Sequence, residues 1–186
     1  MGRINNPNTD ERRTFARVAE TERGSVEVVH ILNGAFLDKR IVFGFLGAFD
    51  LQTQEAFLWG DGDAITDVTT YRDTGLYTAE VAIDEEIVPP VFEIAGETLT
   101  FDELVRAYED ASGNTLTIVK KGSYADLDKE IAARRKAEPN NFYAWLPLMY
   151  YRGSFGGKGK LHSLANERYP MIKPESVRDY IHRDKL

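Results

Sequence analysis

The chain has 186 residues, of which 42% are apolar and 11% aromatic, a composition that can bury a real core and argues against disorder. Its 23 basic and 30 acidic residues leave a net charge of −7, which speaks against nucleic acid or an anionic membrane as the partner. Cysteine is absent, so disulfides, zinc thiolates, iron–sulfur clusters and a cysteine nucleophile are excluded.

The first residues, Met1 to Pro7, carry no apolar stretch and do not read as a secretory signal, and Asn6 stands where a myristoylation signal needs Ser or Thr. The longest apolar run, Ile41 to Phe49, is too short to span a bilayer, so a cytoplasmic protein is expected. Residues 10–23 predict a charged helix with Phe15, Val18 and Ala19 at core spacing, ended by Gly24. Val26 to Leu32 is β-branched and apolar throughout, which predicts a strand buried on both faces, as in parallel sheets. Ala35 to Phe49 has no clean periodicity. Ala56 to Trp59 leads into a strong turn signal, Gly60-Asp61-Gly62-Asp63.

Further on, Thr70-x-x-Asp73 opens a helix to about Ile83, and Pro89-Pro90 breaks the chain before a short strand at Val91 to Ala95. Thr100-x-x-Glu103 is a capping box, flanked by Leu99 and Leu104 at the staple positions. Its helix stops at Gly113, Thr115 to Val119 predicts a strand, and Ser123-x-x-Asp126 caps the next helix. From Pro139 the chain turns aromatic, with Pro147 set to kink or start a helix. A Gly-rich loop at 153–159 and a short helix over 175–183 complete the series. Helices and strands alternate, so the class is α/β.

Self-contained chemistry is scarce. Gly44-x-x-Gly47 lacks the third glycine of a dinucleotide fingerprint and reads as packing. Gly153 to Lys158 is one residue short of a phosphate loop. Tyr169 and Lys173 have the spacing of a dehydrogenase proton-transfer pair, but Pro170 places Tyr169 outside any following helix. Asp61 and Asp63 read as a solvated turn rather than a calcium loop, and His30, His162 and His182 lack metal-ligand spacing. His30 is expected to face a helix or the sheet. No catalytic or metal-binding residue follows from the residues alone.

Four landmarks nevertheless occur in a recognisable order. They are Val28 to Phe36; Trp59 to Asp63 followed by Thr69 to Gly75; Phe92 to Thr100; and Asn166 to Pro170 with Pro174 to Val177. Together they resemble the later part of the NmrA-like family, atypical short-chain dehydrogenase/reductase relatives. Such proteins begin with a strand, a Gly-x-x-Gly-x-x-Gly turn and several βα units, which have no counterpart in this sequence. The resemblance implies that residues 1–186 are the C-terminal half of a Rossmann-like NAD(P)-binding fold, its late parallel strands joined to a smaller α/β substrate-binding lobe. It places Asn33, Gly34, Ala35 and Phe36 beside the nicotinamide end of NAD(P). Phe36, Phe142, Trp145, Tyr150 and Tyr151 would line the pocket of a small-molecule substrate, although each aromatic also reads as ordinary core. Arg13 and Arg17 stand in the helix where the family often carries a lysine.

Two physical expectations attach to this resemblance. Without a first βα turn to cradle pyrophosphate, NAD(P) binding by the chain alone should be weak. The strand at 26–32 would keep an open edge, inviting a partner, or a second copy as a homo-oligomer. The implied function is an NAD(P)-dependent oxidoreductase; the alternatives are a non-catalytic redox-sensing or regulatory module and a truncated gene product without its own activity.

Overall fold

Capping side chains fix where most helices begin. The computed structural model describes residues 7–186, so the N-terminal residues read above for a leader lie outside them up to Asn6. After α1 (Pro7–Glu22), the Thr70 hydroxyl accepts a hydrogen bond from the Asp73 amide at 3.0 Å and starts α2 (Tyr71–Ile83). Thr100 and Glu103 cap α3 (Phe101–Ser112) reciprocally, and Gly113 ends it at φ 75°. Ser123 and Asp126 repeat the box at α4 (Tyr124–Ala137). Helix α5 (Phe142–Ser154) runs through Pro147, and Ser176 caps α6 (Val177–Asp184).

Eight short strands form three small sheets among the described residues. β1 (His30–Leu32) pairs in parallel with β6 (Val91–Glu93). β2 (Ala35–Phe36) runs parallel to β5 (Thr66–Thr69), which is antiparallel to β7 (Glu97–Leu99). β4 (Glu55–Trp59) lies between antiparallel β3 (Phe49–Asp50) and parallel β8 (Thr117–Gly122). The run whose form the sequence left open, Ala35 to Phe49, becomes β2, a π-helical turn at Ile41–Phe45, and the start of β3.

The expectation for Val26 to Leu32 needs correction. Only His30–Leu32 is strand, with Val26 65% and Leu32 41% exposed. The physical reason is pairing: β1 has a neighbour on one side only among the described residues, so nothing holds Val26 to Val29 extended or covers Leu32. His30 does face a helix, its Nε2 lying 3.3 Å from the Glu20 carboxylate of α1.

The core falls into two clusters. The larger one centres on Phe49, Phe101, Leu104, Tyr108, Tyr151 and Phe155, with the Phe49 and Phe101 rings stacked at 5.6 Å. The smaller one joins Tyr77, Phe92, Ile94 and Tyr169 beneath β1 and β6. No helix of the described residues is long and apolar enough to cross a membrane.

Candidate functional site

The turn between β1 and β2 is built around Gly34. Its φ is +67°, and a Cβ there would stand 2.2 Å from the Asp67 carbonyl oxygen, so no side chain fits. The Asn33 carbonyl accepts a hydrogen bond from the Thr69 hydroxyl at 2.8 Å, and Ala35 pairs with Val68. Phe36 then stacks on Tyr71, the first residue of α2, with ring centroids 4.1 Å apart. The turn is thus locked to β5 and α2 at the carboxyl end of parallel strand β1, where open α/β sheets bind their ligands.

Two adjoining clefts meet at this turn. The first, about 680 Å³, is lined by Phe36 and Tyr71, by Phe142, Tyr143, Leu146 and Tyr150 of α5, and by Ile41 and Phe45 of the π-helical turn with Leu46 just after it. Its size and apolar lining suit a small organic ligand. The second, about 420 Å³, runs along Ile31, Leu32, Thr66 and Asp67 to the loop carrying Lys158 and Gly159. Arg12, Asn33, Gly34, Ala35, Tyr150 and Ser154 line both.

Helix α5 explains which aromatics reach the cleft. At 3.6 residues per turn, positions 142, 143, 146, 150 and 154 fall within roughly a 120° arc, and all five line the first cleft. Trp145 and Tyr151 project from other faces. Trp145 is buried, with its indole N–H donating to the Glu138 carbonyl at 3.3 Å and the Arg135 guanidinium over its ring. Tyr151 is fully buried; its hydroxyl accepts from the Trp59 amide and donates to the Phe57 carbonyl, and burial pushes its phenol well above the ordinary range. The structure therefore brings Asn33, Gly34, Ala35, Phe36, Phe142 and Tyr150 together and leaves Trp145 and Tyr151 in the packing behind them.

Asp67 is the charged group that sequence reading missed. Its carboxylate is fully buried and accepts from the Thr98 hydroxyl at 2.6 Å, the Leu161 amide at 2.7 Å and Lys160 Nζ at 3.1 Å. Strand β5 that carries it reads Thr-Asp-Val-Thr, too polar to look buried, yet all four residues are. Tyr169 is engaged elsewhere: its hydroxyl donates to Asp84 at 2.7 Å, outside both clefts. No group of three or more His, Asp or Glu that could hold a metal occurs among the described residues.

The fold has counterparts among solved structures. Isoflavone reductase superposes with a TM-score of 0.75 at 21% identity, over 94% of this chain and 57% of its own. AtPrR2 with NADP+ and (+)-pinoresinol gives 0.71 at 20% identity, covering 96% and 57%. The binary complex of leucoanthocyanidin reductase with NADPH, from Vitis vinifera, gives 0.71 at 16% identity, covering 96% and 62%. This chain thus spans less than two thirds of the length of these reductases, and its α/β fold with parallel strands is theirs. No family model matches the sequence, and no curated protein sequence does.

Proposed function

We propose that this chain belongs to an NmrA-like, NAD(P)-dependent oxidoreductase and carries the nicotinamide-side turn and the substrate pocket of that enzyme. The observation that carries this reading is the position of Asn33 to Phe36: a rigid turn at the carboxyl end of a parallel strand, opening onto an aromatic cleft. In this reading, which is supported by the solved reductases holding NADP+ or NADPH, nicotinamide lies against Asn33 to Phe36. A small-molecule substrate packs on Phe36, Phe142 and Tyr150, with Tyr71, Tyr143 and Leu146 completing the wall. The reduced cofactor, NAD(P)H, would supply the hydride when bound. The residues of this chain orient the two reactants and exclude water between the aromatic faces.

A second reading is favoured by Tyr169. The tyrosine with dehydrogenase spacing spends its hydroxyl on Asp84, away from the clefts, so it moves no proton there. The protein would then sense the redox state of the nicotinamide without turnover. The open side of β1 is proposed in both readings as a pairing edge for a further strand, and the setting is the cytoplasm.

Titration with reduced nicotinamide mononucleotide and with NADPH, followed by nicotinamide fluorescence, tests the site. Saturable binding of the mononucleotide, lost in Ala35→Leu and weakened in Phe36→Ala, is expected, with NADPH gaining little over it. A mononucleotide signal that never saturates, or that both variants leave unchanged, contradicts the assignment. Steady oxidation of NADPH by a carbonyl substrate, abolished in the same variants, selects the enzyme over the sensor.

A further inference from the structure

We infer that the substrate of this site is an aromatic carboxylate, its ring held in the aromatic cleft and its anionic group at the seam where the two clefts meet. The inference rests on the reading of the aromatic cleft as the substrate pocket. It comes from the charged groups around that pocket, which among the described residues are cationic apart from Asp67. Arg12 lines both clefts and forms no ion pair among the described residues. Lys158 lines the second and is likewise unpaired among them. Asn33, also at the seam, has its side-chain N–H₂ buried without a hydrogen-bond partner. A buried amide donor left unpaired carries a real penalty that a ligand acceptor removes.

Anionic groups are correspondingly scarce among the described residues. Among the described residues, Asp67 is the one carboxylate lining either cleft, and Lys160, Thr98 and the Leu161 amide already occupy its oxygens. Among the described residues, an incoming anion therefore meets Arg12 and the orphan N–H₂ at the seam, and Lys158 in the adjoining cleft, without a competing free carboxylate. Arginine matches this role by shape as well as charge: its planar fork binds a carboxylate with two parallel hydrogen bonds, and it does not give up its proton. At the seam it holds an anion and does not act as a general acid or base. The stacked Phe36–Tyr71 pair and the α5 aromatics supply flat faces for a conjugated ring beside it.

Calorimetric titration of the whole chain with cinnamate and with cinnamamide tests this, because the two differ in charge and hardly in shape. Cinnamate is expected to bind at least about tenfold more tightly, as a charge-assisted pair does over a neutral one. Arg12→Gln, an exposed position on α1, should bring that ratio close to one through a loss of cinnamate affinity. Equal affinity of the two ligands, no binding of either, or a ratio that survives both Arg12→Gln and Lys158→Gln overturns the inference. Nicotinamide mononucleotide binding, measured on the same protein, separates the two levels. If it persists while the carboxylate preference is missing, the substrate class is wrong and the site stands; if both are missing, the site itself is wrong.

Discussion

At Gly34 the chain turns with φ +67° while its Cα faces the Asp67 carbonyl, and the position admits no Cβ. A methyl group there must push β2 away from β5, through which Ala35 and Phe36 are placed. Gly34→Ala is expected to destabilise the fold by about 2 kcal/mol or more, combining backbone strain with the clash. It should also weaken nicotinamide binding; a denaturant midpoint equal to that of the parent contradicts the geometry. The turn residues themselves were legible, because Asn33-Gly34 closes an apolar run. Asp67 was not: a polar strand looks like a loop until Thr98, Lys160 and the Leu161 amide are brought to its carboxylate from distant parts of the chain.

Among the elements, α5 divides its aromatics by face. Trp145 lies in the packing against α4, whereas Phe142 is half-exposed at the cleft mouth. Trp145→Ala should cost about 3–5 kcal/mol of stability, as large core truncations do, while Phe142→Ala costs less than about 1 kcal/mol and acts on ligand affinity. Equal losses of stability in a melting experiment contradict that division. In the sequence these aromatics form one run, since Pro147 masks the helical period that sorts them. The helices, by contrast, were readable from their caps: Thr70, Thr100 and Ser123 each do in the structure what their spacing predicted.

The end of α2 is tied down by charge. Asp84 accepts from Arg168 Nε at 2.8 Å and from the Tyr169 hydroxyl at 2.7 Å, and these bonds, the arginine first, hold its carboxyl well below the usual range. A carboxylate depressed in the folded state contributes stability that is complete above its unfolded value of about 4 and lost as the pH falls through the folded value. Asp84→Asn should therefore lower the Tm near neutral pH, with the gap to the parent closing on acidification below about pH 4. A gap that stays constant across that range contradicts the link.

Over the whole molecule, the accessible surface is 10941 Å², roughly a fifth above the 9,000 Å² or so that area scaling gives for 21.0 kDa. Part of the excess lies at Phe15 of α1, Val26 before β1, Leu32 of β1 and Val91 of β6, which are exposed, and among the described residues β1 keeps one side unpaired. The Leu32 carbonyl bonds the Ile94 amide on one side, so by alternation the Ile31 backbone groups face the open one. Concentration-dependent self-association is expected in sedimentation, and Leu32→Lys, which places a charge on that edge, should suppress it. A monomer at all concentrations, or association indifferent to the lysine, contradicts the pairing role. The α/β class and the order of elements were legible from alternation and caps. The exposure of β1 was not, because an apolar run looks the same whether its neighbours are present or absent.

Amide NMR of the isotope-labelled chain, titrated with reduced nicotinamide mononucleotide, puts the central assignment to the most direct test. The expected result is a set of shifts concentrated at Asn33 to Phe36 and spreading to Tyr71 and Tyr150. Shifts centred on another part of the surface, or none at saturating ligand, contradict it.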